Sequence, residues 1–142
     1  MTKPLTIADG LRMAWESTPC LREIIPTERV WIRNVAYNQG NVPYAVIIDG
    51  GSYSSQSDHD ATIVSRSFRI HCYVNDRESI GRLAQALQNL ARIRIDCEEG
   101  HVLASLPPLM RISGDHQGVQ TVTVNLTLRV AVAAPHIRRI GV

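Results

Sequence analysis

Val119–Val132 reads VQTVTVNLTLRVAV. From Val122 on it alternates without a miss. Val122, Val124, Leu126, Leu128, Val130 and Val132 share one parity; Thr121, Thr123, Asn125, Thr127, Arg129 and Ala131 share the other. A period of two, with β-branched residues on both sides, predicts a strand with one apolar and one polar face. Burying each of the six apolar side chains contributes roughly 1.5–3 kcal/mol. The gross sum rivals the net stability of a whole domain, about 5–15 kcal/mol. The strand is also long. At about 3.3 Å per residue it spans roughly 46 Å, whereas a compact chain of this size is roughly 37 Å across. It must therefore coil, bulge or project. Its outward side is mostly threonine with a single charge, a pattern that suits a solvated face or a face covered by another subunit.

Outward from this strand, the chain reads as one α+β domain over residues 1–142, with a mostly antiparallel mixed sheet. Thr6 is placed to cap a helix, with Asp9 three residues on. That helix runs to about Thr18, carries Ile7, Leu11, Ala14 and Trp15 on one side, is weakened by Gly10 and stops at Pro19. Cys20–Ile25 forms a further short turn. Val30–Val35 and Val42–Asp49 read as strands, with a turn at Asn38–Asn41 between them and Pro43 at a strand start or edge. Gly50–Thr62, GGSYSSQSDHDAT, is the most loop-like stretch and is long for a hairpin connection, so a flexible, functional loop is expected at about 50–62.

Val64–Val74 is a third strand with Phe68, Ile70, Cys72 and Val74 inward and Ser67, Arg69, His71 and Tyr73 outward. Asn75 then caps an amphipathic helix over about 77–91, with Glu78 at the capping-box spacing. Ile80, Leu83, Ala84, Leu87, Leu90 and Ala91 make the stripe that packs this helix on one face of the sheet. Ile93–Cys97 reads as a short strand. Pro107 and Pro108 break His101–Ile112, and Ser113–Gly118 turns into the long strand. Ala134–Val142 is a C-terminal arm.

Composition bounds the function. The 142 residues are 44% hydrophobic and 20% charged, which is enough to bury a core in one domain. One Phe, two Trp and four Tyr leave little for base stacking, and a net charge of +2 is low for a dedicated duplex binder. Six arginines nevertheless fall between Arg66 and Arg94 against Asp76 and Glu78. A small nucleic-acid-binding domain using that run is the alternative reading, and a ligand-binding domain or enzyme using His59, His71 or His101 is a further one.

Three widely spaced cysteines imply no disulfide framework. The N-terminus carries no apolar signal core, and no window approaches the roughly 20 apolar residues of a membrane span, so a reducing cytoplasm is expected. Adjacent strand residues oppose, so His71 and Cys72 cannot readily share a metal; Cys97 and His101 have no second pair. Asp58-His59-Asp60 fits loop solubility, and Asp49-Gly50-Gly51 has neither the helix nor the lysine of a phosphate loop. No hydrolase or metalloprotease signature is present. No catalytic residue, cofactor or metal is expected.

The order of parts carries a resemblance. A helix comes first, then a strand on VPYAVII, a polar Ser/Asp stretch, and the strand SFRIHCYV running into the helix ESIGRLAQALQNL. A broken segment and the strand TVTVNLTLRVAV follow. From Leu5 to Val132 this resembles the tail terminator and tail completion (head–tail joining, minor tail) proteins of long-tailed bacteriophages and gene transfer agents. PYAVI at 43–47 and the strand-to-helix junction at 68–90 are the most telling pieces. The resemblance implies a virion structural protein that is not an enzyme. It would assemble as a homo-oligomeric, commonly hexameric, ring at the head-proximal end of the tail, made in a host bacterial cytoplasm and without a membrane. Its partners would be the tail tube protein and a head connector or adaptor, with DNA passing through the lumen. A closed ring needs two different patches per subunit. The candidates for assembly contacts are Ser54, Ser55, Asp58, His59 and Asp60 in the loop, Thr121, Thr123, Asn125, Thr127 and Arg129 on the long strand, and Arg138 and Arg139 in the arm.

Overall fold

Thr6 begins the first helix as its side chain dictates. Its hydroxyl accepts from the Asp9 backbone N–H at 3.1 Å and donates to the Asp9 carboxylate at 2.9 Å, and helix α1 follows at Ile7–Glu16. In this computed structural model, residues 3–33, 41–57, 61–90, 92–114 and 118–133 are described. Pro19 does not simply stop α1. It opens a second short helix, α2, at Pro19–Ile24, because a proline's missing N–H costs nothing in a first turn. Trp15 is fully buried, with its indole N–H donating to the Ile25 carbonyl at 2.9 Å. Arg12 donates to the carbonyls of Thr27 and Val30. These bonds fold α2 and the following turn back under α1.

Strands β1 (Val30–Arg33), β2 (Tyr44–Ser57) and β3 (Ala61–Val74) follow. Helix α3 spans Ser79–Leu90, and β4 (Asp96–Cys97), β5 (Gly100–Ser105), β6 (Leu109–Gly114) and β7 (Gln120–Ala133) complete the described elements. The seven strands form one sheet in the order β1-β2-β3-β7-β5-β4, with β6 also on β7. Only β1 and β2 pair in parallel. The α+β reading, a mostly antiparallel sheet with helices packed on it, therefore describes the fold. The long strand is the middle of it. β3 pairs with β7 over the whole of both strands, from Ala61↔Ala133 to Val74↔Gln120, without a register shift. The other edge of β7 is shared by β6 and then β5, with Pro107 and Pro108 at the break between them.

The inward parity of β7 is buried from Val122 to Val130, and Phe68, Ile70 and Cys72 of β3 lie on the same side. The three helices contribute Ile7, Leu11, Trp15, Leu21, Leu83, Leu87 and Leu90 to that one core. Gly10 does more than weaken α1. A Cβ there would lie 2.4 Å from Ile95 Cγ2, so the missing side chain lets α1 seat against the segment leading into β4.

Three expectations need correction. Gly50–Ser57 is strand, the outer half of β2, paired with β3 as far as Ser57↔Thr62. Register shifts at Asp49/Gly51 and Ser52/Ser54 absorb its glycines. Gly51 takes a positive φ of 83° while its N–H donates to Asp49 Oδ1 at 2.7 Å. A partner strand can hold a serine-rich segment extended although its own propensity does not. Of the rest of that expected loop, Ala61 and Thr62 begin β3, and residues 58–60 lie outside the described residues, as does the C-terminal arm. Next, Asp76 rather than Asn75 makes the polar contacts at the start of α3, accepting from the Glu78 N–H and the Ser79 hydroxyl at 2.9 Å each. Last, Ile93–Cys97 is strand only at Asp96–Cys97.

Candidate assembly surface

Both parities of the sheet follow from register. The row Cys72, Ala45 and Val122 faces the helices; the next row, Trp31, Val46, His71, Thr123 and Arg111, faces away from them. The second face carries no helix among the described residues. Its two ends differ. At one, Trp31 meets Tyr44 edge-on at 6.3 Å and Tyr44 stacks on Tyr73 at 4.6 Å. Along the middle lie Thr121, Thr123, Asn125, Thr127 and Arg129, the outward parity expected from the sequence.

These side chains are ordered by their neighbours on β3. Arg69 Nε donates to Asn125 Oδ1 at 3.1 Å, and His71 Nδ1 lies within hydrogen-bond distance of Thr123 Oγ1, also 3.1 Å. Burial and then the Arg69 charge hold the His71 pKa below its ordinary value. An open groove of about 490 Å³ runs here, floored by Thr123 and Asn125, with Arg69 and His71 on one side and Leu109 and Arg111 on the other. Leu109 is 71% exposed.

Charge is segregated between the faces. Strands β1, β2, β3, β6 and β7 contain a single acidic residue, Asp49. Asp49 is in register with Phe68, on the helix side. Arg66 shares that parity and its guanidinium reaches Asp49 at 2.6 Å and Glu99 at 2.5 Å. It thus ties the β2–β3 ribbon to the turn before β5. Arg66, Arg69 and Arg82 of the run from Arg66 to Arg94 therefore do not share one surface. Arg66 lies on the covered side in an ion-pair network, Arg69 on the bare side, and Arg82 pairs with Glu23 of α2 at 3.3 Å. The signal that locates Arg66 was available: it has the even parity of Phe68 and Ile70. On the bare face, Arg33, Arg69, Arg111 and Arg129 align with outward rows.

The remaining candidates divide. Ser54 and Ser55 pair with Ser65 and Val64 near the far end of the β2–β3 ribbon. Asp58, His59, Asp60, Arg138 and Arg139 lie outside the described residues. Cys72 is buried among apolar side chains, which pushes its thiol pKa up; Cys97 donates to the Gly100 carbonyl at 3.2 Å. His101 instead contacts Asp96 at 3.3 Å, and that hydrogen bond, followed by the Lys3 charge, lowers the Asp96 pKa. Among the described residues no three His, Cys, Asp or Glu side chains converge as a metal site, and no helix is long and apolar enough to cross a membrane. The arrangement offers guanidinium, hydroxyl and amide donors spread over an open surface, which is binding chemistry.

No family model matches the chain, and a search of curated proteins finds no match. Among solved structures, a chain of the "Virion of native gene transfer agent (GTA) particle" superposes with a TM-score of 0.58 at 14% sequence identity. The match covers 89% of this chain and 98% of that one. Nearly the whole of both chains is thus superposed, and this chain shares its fold with a component of a gene transfer agent virion.

Proposed function

We propose that the protein is a virion structural subunit that caps the tail tube of a phage-like particle and joins it to the head connector, as a closed, commonly hexameric, ring. The observation that carries this reading is the match over nearly the full length of a virion chain. The architecture is compatible with it. A sheet with its helices on one side leaves its other side open to face a ring axis. The sheet also ends in short strands, β1 at one edge and β6 beside β7. Two unlike edges supply the two different patches that a closed ring demands, and edge strands pair readily with another chain.

In this reading the seam runs between a β1 edge and a β6 edge. Thr121, Thr123, Asn125, Thr127 and Arg129, mid-sheet, then face the ring axis, along which DNA passes. Ser54, Ser55, Asp58, His59 and Asp60 are the contacts assigned to the tail tube protein, and Arg138 and Arg139 those assigned to a neighbour or the head connector or adaptor. The work is done by matched surfaces and requires no catalysis, cofactor or membrane. The protein would reside in the virion at the head-proximal end of the tail, after synthesis in a bacterial cytoplasm.

Mass by light scattering over a concentration series, with negative-stain images of the heaviest species, tests the ring. Annular particles with a hole wide enough for duplex DNA are expected. A chain that stays monomeric and also fails to bind purified tail tubes overturns the reading. Tail length and head joining unchanged after deletion of Ser54–Asp60 would remove that segment from it.

A further inference from the structure

We propose that the bare face of the sheet is a contact surface for the phosphate backbone of duplex DNA. The first argument is charge. Arg69, Arg111 and Arg129 are exposed on outward rows of β3, β6 and β7, and the only carboxylate among the described residues of β1, β2, β3, β6 and β7 is Asp49, on the opposite side and paired with Arg66. The face is therefore positive although the chain carries only +2 overall. Guanidinium groups fit phosphate oxygens in a bidentate manner, and threonine hydroxyls and asparagine amides are ordinary phosphate donors.

The second argument is shape. Arg111 is level with Thr123, and Arg129 lies six residues further along β7. At about 3.3 Å per residue the basic stripe is roughly 20 Å long. Across the strands β1, β2, β3, β7 and β6 stand abreast, about 19 Å wide at about 4.8 Å per step. That is too broad for a major groove about 12 Å wide. Such a face meets backbones rather than base edges, so binding is independent of sequence. Tyr44 is buried against Tyr73 and Trp31, which removes it as a stacking platform for single strands.

This inference deepens the ring reading by naming what the bare face meets, but it is tested on the chain itself. Fluorescence anisotropy of a labelled mixed-sequence duplex is measured with the full chain from about 50 to 200 mM salt. Three phosphate contacts predict a log–log salt slope of roughly −3. Arg69→Ala with Arg111→Ala should make the slope shallower by about 2, one unit for each phosphate no longer neutralised. Arg77→Ala, in the exposed turn between β3 and α3, should leave it unchanged. All three positions are exposed, and far-ultraviolet circular dichroism verifies the fold of each variant. No duplex binding at the lowest salt, an equal loss in the Arg77→Ala variant, or binding of an acidic polypeptide in preference to the duplex would overturn the inference. None of those outcomes bears on whether rings form, and absence of rings does not bear on the slope.

Discussion

The two faces of the sheet are made by the same strands and obey different rules. On the covered side, Phe68, Ile70, Val122, Val124 and Leu126 have no exposed surface and fit against three helices. On the bare side, their immediate neighbours Arg69, His71, Thr123 and Asn125 hold one another by single hydrogen bonds across strands. One face holds most of the core. The other buries only its β1–β2 end, at Tyr44 and Val46, and along β7 is free to be chosen for what it touches. A strand alternating Val with Thr carries both instructions at once, and β propensity alone does not distinguish them, since both residue types favour strands.

Substitutions can sharpen or break that contrast. Phe68→Ala should have the largest effect, destabilising by about 3–5 kcal/mol through the cavity it leaves, read as a lower urea midpoint at unchanged m-value. Arg66→Ala comes next. It leaves Asp49 and Glu99, both partly exposed, without their shared cation, and about 1–2 kcal/mol is expected, less than for a fully buried pair. On the bare face, Thr127→Ala should fall within about 0.5 kcal/mol of the parent. If it costs as much as Phe68→Ala, the bare face is part of the core and the contrast fails.

The smallest effect concerns pH. His71 has a lowered folded pKa, from burial and then Arg69, whereas an unfolded histidine titrates near about 6.5. Just below that value the unfolded chain binds more protons than the folded one. Stability should therefore fall on acidification through that region and stop falling once the folded pKa is passed. Thermal melts of His71→Gln should lack this increment; an identical pH profile in both proteins would remove His71 as its source.

Much of the covered face was legible in the sequence. The alternation of Val122–Val130, the parity of Phe68, Ile70 and Cys72, and the Thr6–Asp9 cap each act locally, so local pattern sufficed. Gly50–Ser57 was not legible, because serine and glycine do not favour strands and only the pairing with β3 makes them one. β5 and β6 were obscure for a similar reason: they are defined by docking on consecutive stretches of β7. The bare face was legible as polar but not as basic. Its arginines come from four separate strands, and only the sheet order brings them onto one surface.

The strand at the middle of the sheet is also the last described segment of the chain. β3 can pair with β2 as soon as both have left the ribosome, but its other edge, fourteen residues of it, stays open until β7 emerges. β5 and β6 wait for the same partner. During synthesis at about 5–20 residues per second, the nascent protein therefore holds an exposed, β-prone edge for several seconds. Open edges of that kind invite intermolecular pairing. Chaperone dependence and inclusion-body formation should accordingly depend most on the stretch that encodes β7, and a premature stop before Gln120 should yield an aggregate rather than a smaller soluble domain.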